Sequence, residues 1–471
     1  MEKIAVVILA AGLGKRLGGE LPKVLHETSE RPLLAHVVDS ILPLNPDRIA
    51  VVTGYRRELV EDALAKRYPH APIKFAYQAE QRGTGHAVKM AAPLFSDFVG
   101  TIVILYGDAP LLRTESIQHL LRLHQESKAT ASLVTALLPD PASYGRILRD
   151  PKTNQVTSIR EAKDCSAEEL LIKEICQGSY AVDSAFLWPA VEGLKDNNAQ
   201  KEFYLTDVVT KAASEGQRVA SYPVPQIAEA LGVNDRYDMQ LVNQELNARR
   251  VRALMRAGVV VQDPLSTFID ASVSIAPGVI LGPNVQIRGA CTLEAGVVID
   301  GTATITNCKI HDGAHVKLGV VAEDATLGAG SSVGPFAHIR PGSDLGPEVK
   351  IGNFVETKKA VLKKGVKASH LTYLGDCVID EETNIGAGTI TCNYDGYQKY
   401  QTTIGKGVFI GSNSSLVAPV TIEDGATVGA GSVITERVEK DALAVTRAPQ
   451  LSKAGWSQRK REIMTKKKSR P

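Results

Sequence analysis

Residues 9–26 read LAAGLGKRLGGELPKVLH, with four glycines and three Lys or Arg residues at the end of an apolar run. A glycine-rich turn after a first strand lets backbone N–H groups approach phosphate oxygens, and nearby cations offset the phosphate charge. Two standard fingerprints are absent. GxxxxGK[ST] fails because Arg16 follows Lys15, and GxGxxG begins at Gly12 and Gly14 but meets Leu17 where the third glycine belongs. On spacing alone the turn is equally a strand–helix connection. A second chemical candidate is Asp108 in ILYGDAPLL, just past the apolar run 101–105. By itself such an Asp is a turn or cap residue. At the carboxyl edge of an α/β sheet, beside phosphates, it becomes a ligand for a hard cation.

The elements that must position these residues fall into two grammars. Up to residue 235, apolar runs at 4–9, 49–52 and 101–105 alternate with amphipathic stretches such as 117–124. This is the pattern of buried parallel strands with helices between them, and it predicts an α/β doubly wound domain over 1–235. Residues 236–258 carry Leu241, Leu246, Val251 and Leu254 at helical spacing and read as a connecting helix. Over 259–448 apolar residues step by six: Ile275, Leu281, Ile287, Leu293, Ile299 and Ile305, then Val321 to Ile351, then Ile404 to Ile434. A period of six suits a prism whose flat faces each take one hexapeptide, aliphatic residue inward. The pattern resembles the left-handed parallel β-helix of hexapeptide-repeat proteins, which stack on copies of themselves, and a homotrimer is expected by that likeness. The register blurs between 351 and 379, and TCNYDGYQKYQTT reads as a loop leaving the prism.

Composition narrows the classes. A net charge of +2 gives no global argument for nucleic acid or membrane, and no apolar stretch nears membrane-spanning length. Six scattered cysteines without CxxC favour free thiols in a reducing cytoplasm over zinc or disulfides. The start MEKIAVVILAAG lacks a cationic leader, and the basic stretch 449–471 reads as a solvated, disordered tail.

LAAGLGKRL…LPKVL resembles the signature of sugar-1-phosphate nucleotidyltransferases. The resemblance implies that Leu9, Ala10, Ala11 and Gly12 wrap a nucleoside triphosphate while Arg16 and Lys23 face its phosphates. In QAEQRGTGHAV it assigns Gln78, Gly83 and Thr84 to the uracil edge, and it adds Tyr106 and Gly107 beside the nucleotide. It makes Asp108 and Asn234 (LGVNDR) the Mg2+ ligands, and it gives Gly145 and Glu161 to the sugar. One departure stands out: EICQGSY has Cys176 and Gln177 where the family shows Asn and Thr. A thiol is a poor replacement for a sugar-binding amide.

In the second half HIRPGSDLG, NFVETKKA, SHLTYLGD, TNIGAGTITCNYDG and VTRAP sit where the register breaks. Together with the first half they resemble the bifunctional N-acetylglucosamine-1-phosphate uridylyltransferase/glucosamine-1-phosphate acetyltransferase family, over residues 3–456. The resemblance implies His370 as general base, since an amine attacking a thioester must lose a proton near neutrality. It implies Arg340, Lys358, Tyr373 and Asn384 on glucosamine 1-phosphate, and Ala387, Asn393, Tyr394, Ser412, Ala430 and Arg447 on acetyl-CoA. A backbone N–H near Ala387 would serve the oxyanion. The expected substrates are UTP, glucosamine 1-phosphate, N-acetylglucosamine 1-phosphate and acetyl-CoA, with Mg2+, and no nucleic acid or membrane partner. Two rivals remain open: a nucleotidyltransferase for another sugar with an inert β-helix, and a noncatalytic nucleotide-sugar-binding subunit.

Overall fold

The computed structural model describes residues 3–468 apart from Lys15 and Gly19. The chain divides into two compact units between residues 249 and 250, inside the expected connecting helix.

The first unit is built on nine strands: β1 (Ile4–Ala10), β2 (Arg48–Thr53), β3 (Ile73–Tyr77), β4 (Thr101–Tyr106), β5 (Ala131–Leu137), β6 (Arg146–Arg149), β7 (Val156–Arg160), β8 (Glu174–Asp183) and β9 (Val219–Pro223). The main order is β9-β5-β8-β4-β1-β2-β3, with β6 and β7 paired beside β8. β1 shows why these runs read as continuously apolar. Ala5, Val7 and Leu9 enter one core cluster while Val6, Ile8 and Ala10 enter another, so both faces are buried. The expected parallel pairing holds for β4-β1-β2-β3 and for β9-β5, and fails at β8, which runs antiparallel to both β4 and β5, so the sheet is mixed. Direction leaves no mark on composition when a strand is buried on both faces. The long helix is Arg236–Arg256. Within the first unit it buries Val242, rather than Leu241, against Leu17, Leu33 and Leu111.

The second unit is a parallel β-helix, and Val251 and Leu254 join its core. Strands stack in register coil upon coil, so that Leu281 pairs with Ile299 and Ile299 in turn with Val316. Two expectations shift. Val321 is exposed, and its neighbour Ala322 is the inward residue, stacked between Ile305 and Ile339. Between 351 and 379 the coils never stop. Thr357, Leu362, Ala368 and Leu374 are all buried there, so a hydroxyl and a methyl at inward positions hid the repeat. Ile351 pairs with Ala368 and Ala368 with Ile385, whereas Ile385 pairs with Ile410, and the longer step contains the extruded loop.

The tail expected to be disordered is instead an α-helix over Trp456–Lys468. Residues 469–471, like Met1 and Glu2, lie outside the described residues. WSQRKREIMTKKK contains good helix formers without Gly or Pro, and Gln458 donates to Glu462 one turn on at 3.1 Å.

Candidate active sites

In the first unit a cavity of about 240 Å³ is lined by Leu9, Ala11, Gly12, Lys23, Gln78, Gly83, Thr84, Tyr106 and Asp108. Its floor is the carboxyl ends of β1 and β4. The Lys23 ammonium lies 2.5 Å from Asp108 Oδ2 and donates to Asn234 Oδ1 at 3.4 Å. Asp108 and Asn234, far apart in sequence, therefore aim two oxygen donors at one cation. An all-oxygen pair with room for phosphate and water oxygens suits Mg2+, so these side chains fit the implied ion. Gly14, at φ +64°, matters here because a Cβ would stand 2.6 Å from Lys23 Cβ. Gly83, at φ +105°, lies against the Phe203 backbone with no space for a side chain.

Gln78 is buried, and its Nε2 donates to the Gly83 carbonyl at 3.1 Å and to His86 Nδ1 at 3.0 Å. Burial first, then Arg82, lowers the His86 pKa, which keeps Nδ1 free to accept. The Gly107 N–H donates to the Leu9 carbonyl at 2.9 Å and pins the mouth of β4 to β1. Ala10 is buried in the opposite cluster, and Arg16 is exposed; neither lines the cavity. Gln81 and Glu202 do line it, and Gln81 Nε2 donates to the Ala11 carbonyl at 3.1 Å. No sequence spacing marks Glu202, because the fold alone brings it there.

Gly145 and Glu161 meet, since a Cβ on Gly145 would lie 3.6 Å from Glu161 Oε2. Neither lines the nucleotide cavity; Glu161 lines a second cavity of about 300 Å³ with Asp164, Tyr204 and Asp207. Burial raises its carboxyl pKa, opposed by a hydrogen bond from Thr206 Oγ1 at 3.1 Å. Cys176 is turned to Tyr180, with Sγ 3.2 Å from the phenol oxygen, and burial pushes its pKa up to about 12. The thiol is thus neutral and already engaged. The buried Gln177 amide has no hydrogen-bond partner at either terminal atom among the described residues.

In the second unit the register explains the scattered motifs. Glu356 stacks on His338 and Thr357 on Ile339, which sets Arg340 and Lys358 on adjacent coils. Arg340 Nη1 lies 2.6 Å from Glu356 Oε1, which with burial working against it keeps the guanidinium pKa raised. Lys399, from the extruded loop, sits beside Lys358 and, with Arg340, lowers the Lys358 pKa by like-charge repulsion. Three cations gathered in this way form a ready phosphate cradle. Sequence reasoning missed Lys399; its only signal was a basic residue in a polar loop. Asn393 Nδ2 donates to Asp376 Oδ2 at 2.5 Å, at the base of that loop. Tyr394 is different, for its hydroxyl donates to Gly396 within the loop.

A single ladder carries the rest. The Leu371 N–H donates to the Asn353 carbonyl at 3.1 Å, and Gly388 N–H to Leu371 at 3.0 Å. Asn413 N–H donates to Ala387 at 2.7 Å and Gly431 N–H to Ser412 at 2.8 Å. The strand registers carry the alignment: His370 lies opposite Asn353, and continuing the Ala368–Ile385, Ile385–Ile410 and Ile410–Val428 pairings by two residues puts Ala387, Ser412 and Ala430 at the same position, so these five residues sit on five successive coils. Arg447 Nη1 closes the row by donating to the Ala430 carbonyl at 2.6 Å. His370 Nδ1 donates to Asn353 Oδ1 at 3.0 Å, leaving Nε2 with the lone pair a base needs. Tyr373 stacks on Glu356 around the corner from His370, and Asn384 stacks on Lys367 in the ladder's own face. Asn353 was not legible, because finding it requires the coil length through the blurred region.

Residues 6–162 match the family model of the MobA-like NTP transferase domain, and 401–436 match the hexapeptide repeat of succinyl-transferase. Full-length relatives share both halves. The bifunctional protein GlmU of Pelobacter propionicus is 43% identical, covering 97% of this chain and 98% of the relative. That of Anaeromyxobacter sp. is 46% identical over 98% of this chain and 94% of the relative. The Corynebacterium glutamicum protein of the same name is 44% identical over 97% and 94%. With likeness of that depth running through the nucleotide cavity, the long helix and the whole β-helix, the chain belongs to the family of the bifunctional protein GlmU.

Proposed function

We propose that the two units carry out successive steps in making UDP-N-acetylglucosamine: acetyl transfer to glucosamine 1-phosphate, then uridylyl transfer from UTP to the acetylated sugar phosphate. What carries this reading is the ladder that sets His370 in line with Ala387, Ser412 and Ala430 on a chain whose other unit gathers Lys23, Asp108 and Asn234.

For acetyl transfer, Arg340, Lys358 and Lys399 hold the sugar phosphate, and Tyr373 and Asn384 place the ring. His370 Nε2 takes the amine proton as nitrogen attacks the thioester carbonyl; as the C–S bond then breaks, the imidazolium, its Nδ1–H still on Asn353, returns that proton to the departing thiolate and coenzyme A leaves as the thiol. The acetyl-CoA arm lies along the small residues of the ladder, where Ala387 and Ala430 leave the surface low. Asn393, fixed by Asp376, orients the amine or acetyl group.

For uridylyl transfer, Gln78, Gly83 and Thr84 receive the uracil, and the Gly12 loop and Lys23 receive the phosphates. Asp108 and Asn234 hold Mg2+, which when bound supplies positive charge to the phosphates. The nucleophile is already an anion, so no general base is required. What the protein must supply is charge compensation and alignment of two anions. Gly145 and Glu161 hold the sugar.

The molecule acts as a homotrimer through the β-helix, in the cytoplasm. Leu318, Phe336, Phe354 and Leu371 form an exposed apolar row on successive coils, with the Phe336 and Phe354 rings stacked at 5.9 Å. Phe336, Phe354 and Leu371 hold positive φ, a conformation bulky residues adopt at a cost, and a second copy covering the row supplies a reason for it. All six cysteines are free, and no helix among the described residues is long and apolar enough to cross a membrane.

Paired variants test the reading. Asp108→Asn abolishes pyrophosphate release from UTP and spares coenzyme A release, and His370→Ala does the reverse. Loss of both activities in either folded variant refutes the assignment. An inert β-helix would show no coenzyme A release in the parent, and a binding subunit would show neither product.

A further inference from the structure

Asp108 and Asn234 both sit outside strands and helices, Asp108 after β4 and Asn234 ahead of the long helix. One backbone bond joins their segments, the Val233 N–H donating to the Asp108 carbonyl at 2.8 Å. A second tie lies further along. Glu229 is fully buried, and its Oε1 accepts from Arg113 Nε at 2.9 Å and Nη2 at 2.6 Å. Its Oε2 accepts from the Arg113 N–H at 3.2 Å and from Ser116 Oγ at 2.5 Å. Tyr144 ties the same segment, its hydroxyl accepting from Gly232 N–H at 3.1 Å and donating to the Ala230 carbonyl at 3.2 Å.

A buried ion pair adds little net stability over apolar residues of equal volume, because desolvation offsets the attraction. What this arrangement adds is direction, since two guanidinium N–H groups converge on Oε1 while the Arg113 N–H and Ser116 Oγ hold Oε2, and a carboxylate gripped at both oxygens cannot turn freely. Neither Arg113 nor Glu229 lines the nucleotide cavity. They stand on the two segments that bear Asp108 and Asn234, on the far side of the Val233 bond. We propose that Arg113 and Glu229 form a positioning clamp that fixes the gap between the Asp108 and Asn234 oxygens, an inference resting on the reading of those two as the metal ligands. Mg2+ demands near-ideal octahedral oxygen geometry, so metal affinity feels a small change in that gap, and nucleotide affinity feels it far less.

The probe is Mn2+, titrated into the full-length protein and followed by loss of the free-ion electron paramagnetic signal. UTP binding is measured separately by calorimetry in the presence of chelator. Glu229→Gln keeps the shape of the side chain but places an amide against an Arg or Ser donor. Its Mn2+ affinity falls about tenfold, in the range expected when a partner behind a metal ligand is lost. Metal-free UTP affinity and acetyl transfer stay at parental values. Arg113→Lys keeps the charge but offers a single nitrogen in place of the two that converge on Oε1, and gives a smaller loss in the same direction. Should Glu229→Gln fail to fold, Arg113→Lys decides alone.

Parental Mn2+ affinity in either folded variant overturns the clamp, as does an equal fall in metal and UTP affinities. Asp108→Asn is measured beside them. If it leaves Mn2+ affinity intact, the metal reading itself fails. If it abolishes binding while the clamp variants do not shift, only the clamp fails.

Discussion

On the proposed role of holding the sugar, Glu161 stands where two demands conflict: a sugar-binding carboxylate works best ionised, and its surroundings favour the neutral form. Burial is the main cause, and Asp207, Asp164 and Glu202 add like charge. A carboxyl whose folded-state pKa is raised supports the native state fully at pH values below its unfolded pKa. That support is lost as pH climbs through the raised value. Glu161→Gln has no such dependence and keeps the acceptor for Thr206. The variant is accordingly more heat-stable than the parent at pH 8 and equal to it at pH 4, as read from calorimetric midpoints. Its KM for the sugar phosphate rises because the carboxylate is gone. Cys176 shows the opposite arrangement, a group removed from chemistry altogether. With its thiol on Tyr180 and its pKa pushed up to about 12, any sugar contact at this position must come from neighbours.

At the scale of elements, Thr391 shows how a coil tolerates a polar inward residue. Its hydroxyl is buried, accepts from the Gly375 N–H at 2.7 Å and donates to the Gly375 carbonyl at 3.0 Å. Thr391→Val keeps the volume and strands both backbone groups, so it destabilises the second unit by about 1–3 kcal/mol, measurable by urea denaturation. Acetyl transfer weakens as well, because Gly375 stacks directly on Lys358. The same residue explains what the sequence could and could not reveal. Where aliphatic side chains point inward, the step of six was plain, and the motifs at its interruptions led to Arg340, Lys358 and His370. Where Thr357, Ala368 and Thr391 fill the prism, the step vanished. With it went the coil length that aligns Asn353 with His370. In the first unit, runs buried on both faces announced strands but not their direction, so the reversal of β8 was invisible. Most residues lining the first unit's cavity were legible because they lie at strand ends or in the short loops after them. Glu202 and Lys399 were not, because only folding brings them to their sites.

At the scale of the whole molecule, the two units bury separate cores and each carries its own chemistry. Damage to one should leave the other intact, and this sets the terms for testing assembly. Phe354→Asp places a charge in the exposed apolar row without touching the nucleotide cavity. It shifts the protein from trimer to monomer in light scattering and lowers acetyl transfer, and pyrophosphate release from UTP is unchanged. A trimer that persists with full acetyl transfer means that the row is not the contact.

The row running from His370 through Ala387 and Ser412 to Ala430 also works as a ruler. Adjacent β-strands lie about 4.8 Å apart, so three steps span about 14 Å measured from the base. The scale is rigid because backbone hydrogen bonds tie each coil to the next at this corner, and it gauges the length of whatever is laid along it. A donor cut down to its thioester end reaches the zero mark but grips only the first division. Such a donor keeps its reactivity while losing most of its hold.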